Sequence, residues 1–102
     1  MSIVTKLNDS HVKLQGSVDS SNAAQFEEEL LSTISGGNLT VDAEALTYIS
    51  SAGLRVLLKA KKALSADLTM TNVSPAVYEI LDMTGFTQIL TVSKAMREIS
   101  IE

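Results

Sequence analysis

Asp42-Ala43-Glu44-Ala45-Leu46-Thr47-Tyr48-Ile49-Ser50-Ser51-Ala52-Gly53-Leu54-Arg55-Val56-Leu57-Leu58-Lys59-Ala60-Lys61-Lys62-Ala63-Leu64 is the stretch on which the reading of this chain turns. It predicts the exit of a buried strand, a tight loop of small residues at 50–53, and an amphipathic helix. Gly53, Leu57, Ala60 and Leu64, widened by Leu54, share one face at helical spacing. Arg55, Lys59 and Lys62 recur at i, i+4 and i+7 as a basic ridge on another face, and Ser51, four residues before Arg55, begins it. Cations complement the helix dipole near a C-terminus, which accounts for Lys61 and Lys62 but not for Arg55 in the first turns. Serine is a favoured N-cap because its hydroxyl accepts a hydrogen bond from a first-turn amide. The remaining unpaired amides suit an anion. A serine in this place is a cap, a phosphate ligand or a hydroxyl that itself becomes phosphorylated. Local physics favours the cap and leaves the other two open.

Upstream, residues 3–7 and 12–18 alternate apolar and polar around the turn residues Asn8-Asp9-Ser10 and predict a β-hairpin. Val12, Leu14 and Val18 share a face in which Gly16 leaves a gap. His11, the one histidine, reads as a solvated residue at the strand end. Ala23, Phe26, Leu30 and Ile34 are helically spaced, and Glu27-Glu28-Glu29 read as the solvated side of that helix, which Gly36-Gly37-Asn38 ends. Residues 39–43 predict a short strand.

Downstream, residues 67–73 alternate as a strand, and Ser74-Pro75 open a helix with a cap and a first-turn proline. Val77, Ile80 and Leu81 face inward, with Met83 at the limit of the stripe, and Gly85 closes the helix. Residues 89–92 predict a last strand, and Ser93 caps a C-terminal helix through Ala95, Met96 and Ile99. The order β-β-α-β-α-β-α-β-α predicts an α/β fold, with a mostly parallel sheet of about five strands covered by about four helices.

The chain has 102 residues, which fits a single domain spanning 1–102. There is no cysteine, so disulfides, thiolate metal sites and cysteine nucleophiles are excluded, and a reducing cytoplasm is the compartment that fits. No apolar run approaches the ~20 residues that span a bilayer, and no signal pattern opens the chain. A net charge of −4 argues against nucleic acid as a partner. No G-x-S-x-G elbow surrounds Ser50 or Ser51. A catalytic triad needs a base beside the nucleophile, and His11 is the one histidine available. No phosphate-binding G-x-x-x-x-G-K-(S/T) loop is present.

Tyr48-Ile49-Ser50-Ser51-Ala52-Gly53-Leu54, with Val56-Leu57-Leu58 behind it, resembles the phosphorylation motif of the STAS-domain anti-sigma factor antagonists of bacteria, in which Asp-Ser-(Ser/Thr)-Gly-Leu is usual. Gly16-Ser17-Val18-Asp19 with Asn22-Ala23 resembles the segment beside that site, and Ser74-Pro75 through Thr84-Gly85-Phe86 resembles the late helix and turn. The resemblance covers nearly the whole chain. Ser50 stands where the family's aspartate usually is, and Ala52 replaces a second hydroxyl residue.

The resemblance implies that Ser51 is the phosphoacceptor. Small residues that allow close approach and a basic ridge that orients a partner by charge then predict a partner-binding face of Asp19, Asn22, Ser50, Ser51, Ala52, Gly53, Arg55, Lys59 and Lys62. The resemblance also implies partner switching. The unphosphorylated protein binds an anti-sigma factor that is also a serine kinase, phosphorylation releases it, and a metal-dependent serine phosphatase restores the serine. ATP and magnesium belong to the kinase, so no catalytic residue, metal or cofactor is expected in this chain. The missing aspartate keeps open a second role on the same fold, a cytoplasmic accessory subunit of a membrane transporter that binds without being phosphorylated.

Overall fold

A computed structural model describes residues 2–34 and 37–95. The elements are β1 (Val4–Asn8), β2 (His11–Val18), α1 (Ala23–Leu31), β3 (Leu39–Ile49), α2 (Ser51–Ala63), β4 (Leu68–Val73), α3 (Pro75–Met83), a 3-10 turn (Phe86–Gln88) and β5 (Thr91–Lys94). The five strands lie in the order β1-β2-β3-β4-β5. Only β1 and β2 are antiparallel, and the other three pairings are parallel. The expected α/β class and mostly parallel sheet are therefore present, with three helices among the described residues.

One face of the sheet makes the core. Val12, Leu14, Leu39, Val41, Ala43, Leu68 and Met70 are buried on it beside Phe26, Leu30, Leu57, Ala60, Val77 and Leu81 from the helices. The alternate positions are polar and half-buried, with Lys13, Asp42 and Thr71 in register across β2, β3 and β4. Parallel crossovers that step one strand at a time in a single direction, with the usual right hand, put their helices on one side.

β3 is longer than the expected 39–43 strand and runs on to Ile49. Its pairing with β2 shifts register twice, and each shift leaves one extra residue on β3: Lys13 and Gln15 face Asp42 and Ala45, while Gly16 and Ser17 face Leu46 and Tyr48. Such bulges break the period-2 signal, so the buried residues Ala43, Leu46 and Ile49 fall three apart. The gap expected at Gly16 is resolved by the second shift, with Gly16 in the left-handed region at φ 83°.

Other boundaries also move. α1 stops at Leu31, short of the expected Ile34, because the Ser32 and Thr33 hydroxyls donate to the carbonyls of Glu29 (2.8 Å) and Leu30 (2.7 Å). The last strand is Thr91–Lys94, not 89–92, since Leu90 N–H donates to the Phe86 carbonyl (2.8 Å) in the preceding turn. Ser93 is thus a strand residue, not a helix cap, and the expected helix beyond it falls at 96–102, outside the described residues. Met83 is not inward-facing but 74% exposed. His11 is half-buried, not solvated, and its Nε2 is enclosed without a hydrogen-bond partner.

The acidic run is not simply solvated. Glu29 Oε1 accepts from the amides of both Ile3 and Val4 (2.8 Å each), and its Oε2 accepts from Gln25 (2.8 Å). Glu27 pairs with Lys59 of α2 (2.9 Å), while Glu28 is exposed. Hydrogen bonds from the Gln25 side chain and the Val4 and Ile3 amides hold the Glu29 carboxyl below the usual glutamate value. A lowered native value means that this contribution is present above the unfolded-state value and is lost as pH falls through the native one. Glu29→Ala is expected to cost about 1–2 kcal/mol at neutral pH and almost nothing well below pH 4. Urea titrations of both proteins at the two pH values check this, and an equal gap at both would remove the role assigned to the carboxylate.

Candidate functional site

The site lies at the C-terminal ends of β2 and β3, where open α/β sheets place their loops for binding. Two strands and the start of α2 are fastened there by backbone. Ser50 N–H donates to the Val18 carbonyl (2.8 Å), and Leu54 N–H donates to the Ser50 carbonyl (2.9 Å). The two serines have different positions. Ser50 is the N-cap of α2, extended at φ −88°, ψ 176°, and its Oγ accepts from Gly53 N–H at 3.4 Å. Ser51 is the first helical residue and is exposed, and no hydrogen bond engages its hydroxyl among the described residues.

Gly53 is not on the surface. It is buried under the loop, and a Cβ there would stand 2.7 Å from Ile49 Cγ1 and 2.8 Å from Val18 Cγ1. The glycine lets α2 begin directly against the ends of β2 and β3. Ala52, beside it, is half-buried.

Asp19 follows β2 directly. Its Oδ1 accepts from Ser21 Oγ (2.5 Å) and Ser21 N–H (2.9 Å), and these bonds hold its carboxyl below the usual range. Asn22 is a structural tie. Its Oδ1 accepts from Asp19 N–H and its Nδ2 donates to the Ser17 carbonyl, both at 2.9 Å. The turn carrying Asp19 is thereby fixed next to the Val18–Ser50 contact.

Arg55, Lys59 and Lys62 are all exposed on α2. Arg55 lies one turn beyond Ser51 and makes no ion pair among the described residues. Lys59 is held by Glu27, and Lys62 lies roughly 16 Å along the helix from Ser51. The loop, Asp19 and Arg55 are thus brought together, whereas Lys62 belongs to the far end of the ridge. Sequence reasoning passed over Tyr48, which is 47% exposed and in register with Ser17. Its place two residues before the serine pair, on a strand with broken alternation, was the available signal.

The arrangement presents a free hydroxyl on a rigid helix start with a cation one turn away. No base is near it. His11 begins β2, seven residues or roughly 23 Å from Val18 at the other end of the strand.

A small α/β fold, with a mostly parallel sheet and a serine-capped helix start set against two strand ends, is the class that this geometry defines. The family model described as Mlab, STAS domain matches residues 1–92, and the chain belongs to the STAS domain family. It is 39% identical over 87 residues to BtrV of Bordetella bronchiseptica, assigned as an anti-sigma factor antagonist, with 80% of this chain and 75% of that one covered. Two solved structures share the fold. One is an anti-sigma factor antagonist from Mycobacterium paratuberculosis, with TM-score 0.78 and 18% identity over 94% of this chain and 86% of that one. The other is a protein assigned to the same role from Thermotoga maritima, with TM-score 0.71 and 15% identity over 91% of this chain and 86% of that one.

Proposed function

We propose that this chain is an anti-sigma factor antagonist that binds an anti-sigma factor with serine kinase activity and is released when Ser51 is phosphorylated. The observation that carries this reading is the division of labour between the two serines. Ser50 is used as the helix cap, and Ser51 presents a free hydroxyl beside Arg55. The relation to BtrV supports the general role. Phosphate adds about −1.5 to −2 charges at neutral pH, enough to change a surface of small residues both in charge and in shape. The kinase supplies ATP and magnesium, a metal-dependent phosphatase resets the serine, and the chain itself contributes no catalytic group. The cycle takes place in the cytoplasm. No described helix is long and apolar enough to cross a membrane.

The docking face joins Asp19, the loop at 50–53 and the start of the Arg55–Lys59–Lys62 ridge. Small residues allow close approach, and the ridge orients an acidic partner surface. Ala52→Arg is expected to weaken binding by at least about tenfold, the scale of disturbing one closely packed central interface position, with the melting transition retained. Titration calorimetry against the purified anti-sigma factors of the organism that encodes the chain checks this. Unchanged affinity would place the interface elsewhere.

One observation favours a second reading. Ser50 replaces the acidic residue usual before the acceptor, which suits a transporter accessory subunit that binds without phosphorylation. Co-purification with a transporter complex, and no phosphate on the chain in cells, would decide for it.

A further inference from the structure

Among the described residues, four large apolar or aromatic side chains are notably exposed: Leu7, Tyr48, Met83 and Ile89. Leu7 is at the β1–β2 hairpin, Met83 ends α3, and Ile89 leads into β5. All three lie toward the N-terminal ends of the parallel strands, away from the serine loop. Tyr48 alone of the four stands at the C-terminal edge. It is three residues before Ser51 and opposite Ser17 on β2.

We propose that Tyr48 is an aromatic anchor at the C-terminal edge of the docking face, taken up by an apolar pocket on the partner. This rests on the reading above that the serine loop binds an anti-sigma factor. Several features of Tyr48 support it. The ring is 47% exposed although its backbone lies within β3, so it is displayed on a fixed strand and loses little freedom on binding. Its surroundings are small. Gly16, Ser17 and Thr47 are exposed neighbours on the same strand ends, and none is large enough to shield the ring from a partner. Thr47 Oγ1 donates to the Gly16 carbonyl (3.2 Å), which braces the register shift that turns Tyr48 outward. Tyrosine is enriched among the few residues that carry most of an interface's energy, because its ring fills a pocket while its hydroxyl stays compatible with water when unbound. Tyr48 is also continuous with the switch. It stands two residues before the Ser50 cap and three before Ser51 at the same strand end, so a partner docked at this edge would lie within reach of a phosphate at Ser51.

The test compares wild type, Tyr48→Ala, Tyr48→Phe and Leu7→Ala for binding to each purified anti-sigma factor of the source organism, by biolayer interferometry and calorimetry. Leu7→Ala removes an equally exposed apolar side chain at the opposite edge. The expected result is a loss of about 30-fold for Tyr48→Ala, mostly as faster dissociation. Tyr48→Phe should stay within about threefold of wild type, and Leu7→Ala should match it. All four should melt within a few degrees of one another. Wild-type binding that survives intact in Tyr48→Ala would overturn the anchor while leaving the proposed function standing. A loss as large in Tyr48→Phe as in Tyr48→Ala would overturn the apolar pocket. Failure of wild type to bind any anti-sigma factor would remove the proposed function and the anchor together.

Discussion

Gly53→Ala is expected to destabilise the domain by about 2 kcal/mol and to lower its melting temperature by about 10 °C, although alanine is the better helix former. Two effects compete. In a helix, alanine gains up to about 1 kcal/mol over glycine. Against this, the new Cβ would lie 2.7 Å from Ile49 Cγ1 and 2.8 Å from Val18 Cγ1. Both neighbours are β-branched, stiff at χ1, and at most 1% exposed within the core. Neither can rotate away without striking something else, because interiors are packed at crystal density. The available relief is displacement of the first turn of α2, which also strains the Ser50 N–H to Val18 carbonyl bond. Overpacking therefore wins over propensity. Binding should fall as well, since Ser51 and Ala52 move with that turn. Thermal and urea unfolding check the prediction, and a variant as stable as wild type would show that the helix start is not set by this contact.

The same contact explains why α2 was so legible. Its apolar stripe has the helical period, its N-cap is a serine, and its glycine falls where the helix backbone closes on the Ile49 and Val18 side chains. Sequence pattern and tertiary packing agree there. They disagree along β3, where two extra residues shift the inward positions to a spacing of three and hide half of an 11-residue strand. Periodicity cannot register a bulge, because the pattern is written by the neighbouring strand as much as by the strand itself. The acidic run on α1 was misread for a related reason. Glu27, Glu28 and Glu29 look alike in sequence, yet Glu29 finds the edge amides of Ile3 and Val4, and Glu27 finds Lys59. Partners more than twenty residues away leave no local trace. At the site, the loop and the basic ridge followed from spacing. The unequal use of Ser50 and Ser51 did not, because either serine satisfies the capping preference and only backbone geometry decides which one caps.

That inequality gives the second large prediction. Ser51 is expected to accept phosphate, and phosphorylated protein should bind its partner at least about 100-fold more weakly, the scale of leaving a charge buried without a partner. A phosphate on Ser51 would sit by the first-turn amides and one turn from Arg55, so the helix start tolerates it and the domain stays folded. The loss then arises at the interface, where a surface of small residues acquires a bulky dianion. Ser51→Ala should lock the protein in its binding form. Ser51→Asp should weaken binding by less than phosphate does, having one charge and fewer acceptor oxygens. Ser50→Ala separates capping from signalling. It should lose about 1 kcal/mol of stability, with the long 3.4 Å cap bond favouring the low side, and should still be phosphorylated. Reaction with the partner kinase and ATP, followed by phosphosite mapping and calorimetry on each variant, distinguishes these outcomes. Phosphate on Ser50 with Ser51 unmodified would reverse the assignment of the two hydroxyls. Phosphate on Ser51 with unchanged affinity would mean that the loop is modified outside the contact and that the docking face lies elsewhere on the domain.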